Sequence, residues 1–188
     1  MQIALFGTSA DPPTAGHQKI LSWLSQHFDQ VVVWASDNPF KSHQTAIEHR
    51  TTMLKILIED ISPDDNIALH QELSSRRTLE TVQGVQQYWP DAELHLVVGS
   101  DLIAQMPSWY KIEALLSQVN LLVIPRPGYQ VEDEKIKTLQ QIGGNVAIAS
   151  ITGLPVSSSN YRENGDPETL TPAIQVYIEQ NSLYQSSQ

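Results

Sequence analysis

The side chains best suited to chemistry fall into three short strings. Residues 7–18 read GTSADPPTAGHQ, a Gly/Pro/Ser/Thr loop that follows an apolar run and enters a helical pattern near His17. Unpaired amides and the positive dipole end at a helix start attract phosphate, and an imidazole there can donate to a phosphate oxygen. The loop lacks the Gly-Lys-Ser/Thr ending of a Walker loop, and Gly7 and Gly16 are too far apart for a dinucleotide fingerprint. Alone, it also reads as a plain turn shaped by Gly7, Pro12 and Pro13 with His17 on the surface. Residues 156–165, VSSSNYRENG, open a short helix with serines and carry Arg162 one turn in. Hydroxyls and a guanidinium so placed can cap amides and bind phosphate together, or form a cap beside a solvated arginine. In residues 97–116, VVGSDLIAQMPSWYKIEALL, Gly99 and Asp101 lie at the end of an apolar run. A carboxylate there can accept ribose hydroxyls. Trp109, in a loop before a helix, can stack on an aromatic ring or simply be buried. Trp23, Trp34 and Trp89 read as core or surface fillers.

Short apolar, β-branched runs supply the elements that must position these strings. Strands are expected at Ile3–Phe6, Val31–Ala35, Ile67–His70, Leu94–Val98, Leu121–Ile124 and Val146–Ile148. Runs such as VVVW, LHLVV and LLVI are almost continuously apolar, as parallel strands covered on both faces require. Between them, Ile20, Leu24 and Phe28 recur at helical spacing, and helices are expected around Ala46–Ile58, Thr78–Tyr88, Lys111–Leu116, Glu132–Gln141 and Ala173–Gln180. This alternation predicts an α/β fold: a doubly wound, Rossmann-like parallel sheet with helices on both faces. Ligands of such sheets lie beyond the carboxyl ends of the strands, where the strings above fall. The 188 residues suggest one domain, 1–188, with a small helical C-terminal part from about residue 157.

Composition narrows the function. Eleven Lys and Arg against 21 Asp and Glu leave a net charge of −10, which argues against an electrostatic grip on nucleic acid or an anionic membrane. A local basic pocket for a small anion is still allowed. The absence of cysteine excludes disulfides, thiolate metal sites and cysteine nucleophiles. The five histidines besides His17 show no metal-ligand spacing, and no dedicated metal site is expected. Without a signal-peptide pattern or a membrane-length apolar run, a cytoplasmic protein is expected.

In this order and separation, the strings resemble the nucleotidyltransferase superfamily. Its signature, Gly-Gly-x-Phe-Asp-Pro-x-[His/Thr]-x-Gly-His, is matched by Gly7, Asp11, Pro12, Thr14, Gly16 and His17. Thr8 stands for the second glycine and Ala10 for the phenylalanine, while Thr14 takes the first histidine's place, a variant the superfamily uses. Ser157, Ser158 and Arg162 match its Ile-Ser-Ser-Thr-x-x-Arg motif. Residues 97–116, NLLVIPRPGY (120–129) and YIEQNSLY (177–184) are similar to the bacterial nicotinate mononucleotide adenylyltransferases. TLETV (78–82) resembles that family's Thr-x-Asp-Thr-Leu, keeping Thr78 with Glu80 for the aspartate. NPFK (38–41) resembles its Pro-Pro-His-Lys, keeping Lys41 with Phe40 for the histidine.

The resemblance implies attack of a mononucleotide 5′-phosphate on the α-phosphorus of ATP, with pyrophosphate leaving. It gives His17, Thr14, Arg162 and Lys41 catalytic roles. ATP would be held by Gly7, Thr8, Gly16, His17, Gly99, Asp101, Ser157, Ser158 and Arg162. The mononucleotide would be held by Lys41, by Thr78 near the nicotinate carboxylate, and by Trp109 stacked on the pyridine ring. Mg²⁺ would arrive with ATP, bound mainly through phosphate oxygens and water. The expected partners are ATP and nicotinate mononucleotide, with a homo-oligomer allowed. Three alternatives stand beside this: the same reaction on nicotinamide mononucleotide, another acceptor of the superfamily, and a nucleotide-binding module that has lost the chemistry.

Overall fold

The computed structural model describes residues 1–37, 44–61, 66–128 and 130–185. Six strands form one sheet: β1 (Gln2–Thr8), β2 (Gln30–Ala35), β3 (Ile67–Leu69), β4 (Glu93–Gly99), β5 (Asn120–Ile124) and β6 (Asn145–Ile148). Their order is β3-β2-β1-β4-β5-β6 and every pairing is parallel. All six lie where the apolar runs predict them. The helices are α1 (Ala15–His27), α2 (Ile47–Glu59), α3 (Thr78–Tyr88), α4 (Ile112–Leu116), α5 (Asp133–Gln141), α6 (Ser158–Asn164) and α7 (Pro172–Gln180). The first helix begins two residues before His17, because Thr14 caps it.

Strand periodicity divides the core into two layers. Ala4 and Phe6 of β1, Val31 and Val33 of β2, and Leu122 and Ile124 of β5 face α1, α2 and α7, through Leu21, Leu24, Met53, Leu57, Ile174 and Ile178. Their neighbours Ile3, Leu5, Val32, Leu121 and Val123 face α3, α4 and α5, through Leu79, Val82, Leu115 and Leu139. Chirality explains the division. From β1 the chain steps outward one way to β2 and β3, and from β4 the other way to β5 and β6. Crossovers of one hand then put their helices on opposite faces. Between β1 and β4 the connections diverge, leaving a crevice at their carboxyl ends.

Edge strand β6 is mostly exposed, with Ile148 53% accessible. The C-terminal helix α7 packs on α2, where His49 Nδ1 and Tyr177 Oη lie 2.8 Å apart. Among the described residues no helix is long and apolar enough to cross a membrane.

Candidate active site

The loop after β1 fills one wall of that crevice. Gly7 lies where strand meets loop, and a Cβ there would sit 2.5 Å from the Trp34 ring, so the close approach needs glycine. Thr14, only 1% exposed, is the N-cap of α1, and Gly16 is buried in its first turn. Thr14 and His17 form a reciprocal capping box. The His17 N–H donates to Thr14 Oγ1 at 3.3 Å, and the Thr14 N–H donates to His17 Nδ1 at 2.9 Å. A ring nitrogen that accepts an amide proton carries none of its own, so His17 is the neutral tautomer with its proton on Nε2. That Nε2–H donates to Thr8 Oγ1 at 3.0 Å. The cap thus settles which end of the imidazole is the donor.

The serine-rich string closes over this loop. Ser157 caps α6, accepting from the Asn160 N–H at 3.0 Å. Ser158 Oγ donates to the Pro12 carbonyl at 2.7 Å, and Arg162 donates to the Asp11 carbonyl at 2.7 Å and to Ser159 Oγ at 3.1 Å. Two widely separated motifs therefore form one wall. The hydroxyl of Ser158 is spent on joining them, and Arg162, which is solvent-exposed, has one edge of its guanidinium on the loop.

The other wall follows β4. A Cβ on Gly99 would collide with the Asp101 carboxylate, so glycine lets that side chain fold back over the strand end. Asp101 Oδ2 pairs with Arg126 at 3.0 Å, and the Arg126 N–H donates to Ser100 Oγ at 2.8 Å. Trp109 is half-buried after a single 3-10 turn, Met106–Ser108, and borders a hollow of about 380 Å³ with Lys111 and Ile112. Thr78 is the first residue of α3. Arg77, just before it, lies over the Tyr110 ring at 4.0 Å, linking that helix start to the Trp109 loop. Lys41 and Phe40 lie outside the described residues. Of the remaining tryptophans, Trp34 is 4% exposed under Gly7, Trp23 stacks on His27 and Trp89 packs on Tyr88.

Several supporting residues escape a reading of the sequence. Arg50 is 3% exposed and donates to three carbonyls: Thr45 at 2.8 Å, Ser9 at 3.0 Å and Ser36 at 2.7 Å. It ties the ends of two strand-following loops to α2. A signal existed, because Arg50 stands on the helical stripe of Met53, Leu54 and Leu57, where a charged residue must bring partners inside. Tyr184 and Arg126 likewise join the site from distant loops. Among the described residues no group of three His, Asp or Glu side chains is arranged to hold a metal ion.

The doubly wound sheet thus carries a capped Gly-His helix start at its switch point. Residues 5–164 match the family model described as cytidylyltransferase-like, and the chain belongs to that family. It is 44% identical over 199 aligned residues to the "Probable nicotinate-nucleotide adenylyltransferase" of Synechocystis sp., spanning 98% of this chain and 99% of the relative. A protein of the same description from Bacillus cereus is 32% identical over the same shares. The chain thus belongs, within the larger family, to the nicotinate-nucleotide adenylyltransferases. The fold is similar to that of Plasmodium falciparum nicotinic acid mononucleotide adenylyltransferase complexed with NaAD, with a TM-score of 0.82 at 22% identity over 97% of both chains. The same enzyme complexed with APC gives a TM-score of 0.80 over 97% of this chain and 96% of that one.

Proposed function

We propose that this enzyme transfers the adenylyl group of ATP to nicotinate mononucleotide, giving nicotinate adenine dinucleotide and pyrophosphate in NAD biosynthesis. An oxygen of the mononucleotide 5′-phosphate forms a bond to the α-phosphorus as the bond from that phosphorus to the bridging oxygen of the β-phosphate breaks. The attacking oxygen is already anionic near neutral pH, so the protein's work is alignment and charge stabilisation rather than proton removal. The observation that carries this reading is the His17 tautomer: Thr14 occupies Nδ1, and the ring's one proton stands on Nε2 at the strand-end crevice. In the proposal that proton is donated to an α-phosphate oxygen as charge develops on it.

Around it, Thr14 holds the ring, and Arg162 and Lys41 neutralise phosphates. Gly7, Thr8, Gly16, Gly99, Ser157 and Ser158 shape the ATP cradle, and Asp101 accepts the ATP ribose hydroxyls. Trp109 stacks on the pyridine ring, and Thr78 at the start of α3 meets the nicotinate end. Mg²⁺ enters as part of the ATP substrate, held by phosphate oxygens and water. The enzyme acts in the cytoplasm.

The test is to supply ATP and Mg²⁺ with either mononucleotide and follow dinucleotide and pyrophosphate by chromatography. Rapid turnover of the nicotinate form and much slower turnover of the nicotinamide form is expected. Preference for the nicotinamide form would overturn the assigned acceptor, and turnover of neither would overturn the reaction.

A further inference from the structure

Thr8 stands where the superfamily signature has a glycine, and its hydroxyl is the group that the His17 tip touches. Thr8 Oγ1 accepts twice, from the His17 Nε2–H at 3.0 Å and from the Ala10 N–H at 3.3 Å. Ala10 sits at φ 50°, a left-handed turn that brings its N–H back over the end of β1. A hydroxyl oxygen that accepts two hydrogen bonds still has its own proton to donate. Among the described residues no acceptor takes that proton. Thr8 is the last residue of β1, so its Cα is fixed by parallel pairing with Ala35 while its side chain stands half-buried at the strand end. A rigid strand, rather than a mobile loop, sets the position of this hydroxyl.

We propose that the Thr8 hydroxyl is a second donor to the phosphate oxygen served by His17. In the free enzyme it receives the Nε2–H and keeps the imidazole aimed into the crevice. In the complex the ring stays held by Thr14, the Nε2–H is shared between Thr8 Oγ1 and the phosphate oxygen, and the Thr8 O–H rotates to donate to that same oxygen. This inference rests on the adenylyl-transfer reading. It also gives a chemical role to a side chain at a place where the superfamily signature has glycine.

The experiment compares Thr8→Val, which keeps the shape and removes the hydroxyl, with Thr8→Ser, which keeps the hydroxyl. Dinucleotide formation at saturating substrates is expected to fall about tenfold in Thr8→Val, the size of one neutral hydrogen bond. Thr8→Ser should stay within about threefold of the parent, and the KM for ATP should move less than kcat in both. Thr8→Val within twofold of the parent, or Thr8→Ser as impaired as Thr8→Val, would overturn the proposal. A second readout needs no turnover: the His17 Nε2–H resonance in selectively ¹⁵N-labelled protein. It should be protected from solvent exchange in the parent and Thr8→Ser, and lost to exchange in Thr8→Val. Equal protection in all three proteins would contradict the Thr8 bond even if the parent made no dinucleotide, an outcome that would count against the reaction instead.

Discussion

Tyr184 Oη donates to Asp11 Oδ1 at 2.5 Å, joining residues 173 positions apart and fastening the C-terminal segment to the loop that carries His17. Asp11 is 3% exposed, and its other carboxylate oxygen accepts the Thr45 N–H at 3.3 Å. The same loop receives Arg162 on the Asp11 carbonyl and Ser158 on that of Pro12. Three segments thus converge on two residues of the candidate active-site loop. Tyr184→Phe should remove about 1–2 kcal/mol of stability, because a buried carboxylate oxygen loses its donor. Urea unfolding of the variant measures this, and an unchanged midpoint would mean that water replaces the phenol without cost.

The same bond has a pH signature. Burial, then the hydrogen bond to Asp11, push the Tyr184 phenol far above its ordinary value of 10.0. Above pH 10 the unfolded chain therefore releases a proton that the folded chain keeps, and stability falls as pH rises further. Tyr161, against which Tyr184 packs edge to face, is also raised by burial and adds to the slope. Melting temperatures between pH 9 and 12 should decline less steeply in Tyr184→Phe than in the parent. Parallel curves would remove Tyr184 as the cause.

On the acid side the marker is His95. Burial lowers its pKa from 6.5, against a smaller opposing pull from Glu93, and among the described residues its buried Nε2 has no hydrogen-bond partner. The unfolded chain binds a proton more readily than the folded one, so stability present above pH 6.5 is lost as pH falls. His95→Leu should flatten the dependence of the unfolding midpoint below pH 6.5. An unaltered acid slope would show that other groups carry it.

Arg50 is expected to matter for stability more than for chemistry. Replacing it with Met keeps the bulk of the stem but leaves the carbonyls of Ser9, Ser36 and Thr45 without a common donor. A loss on the order of 2–4 kcal/mol follows from orphaning buried acceptors. Chemical denaturation checks it, and a loss below about 0.5 kcal/mol, the range of ordinary surface changes, would contradict the bridging role.

Asp101 should separate ligand binding from folding. Its pair with Arg126 is partly exposed on both sides, so breaking it should cost at most about 1 kcal/mol of stability. If Asp101 accepts the ribose hydroxyls, Asp101→Ala should raise the KM for ATP about tenfold, near the worth of one charge-assisted hydrogen bond. Steady-state kinetics with ATP varied decide this, and a KM within twofold of the parent would remove Asp101 from the ATP site.

Much of this architecture is legible from local pattern. Continuous apolar runs such as VVVW and LLVI mark strands buried on both faces, and the observed β2 and β5 contain them. The serines before Arg162 announce the start of α6, and the observed cap is Ser157. What the chain hides is how its side chains are spent. Ser158 and Arg162 read as phosphate ligands, yet each makes a bond to the Asp11–Pro12 backbone, which only the folded juxtaposition reveals. Thr8 reads as a departure from a glycine pattern, and its bond to His17 depends on α1 turning back across the end of β1. Tyr184 looks like an ordinary C-terminal aromatic until the tail meets the first loop. Local propensity determines elements, whereas these contacts come from tertiary packing between distant segments.

The most direct measurement is adenylyl transfer from ATP to nicotinate mononucleotide by the parent and by His17→Ala, both at saturating substrate. The cap loss should cost only about 1 kcal/mol, so the variant is expected to remain folded. Its turnover should fall on the order of 10²–10³-fold, as removal of a preorganised donor to developing charge requires. A folded His17→Ala protein that makes the dinucleotide at nearly the parent rate would contradict the central role given to the Nε2–H of His17.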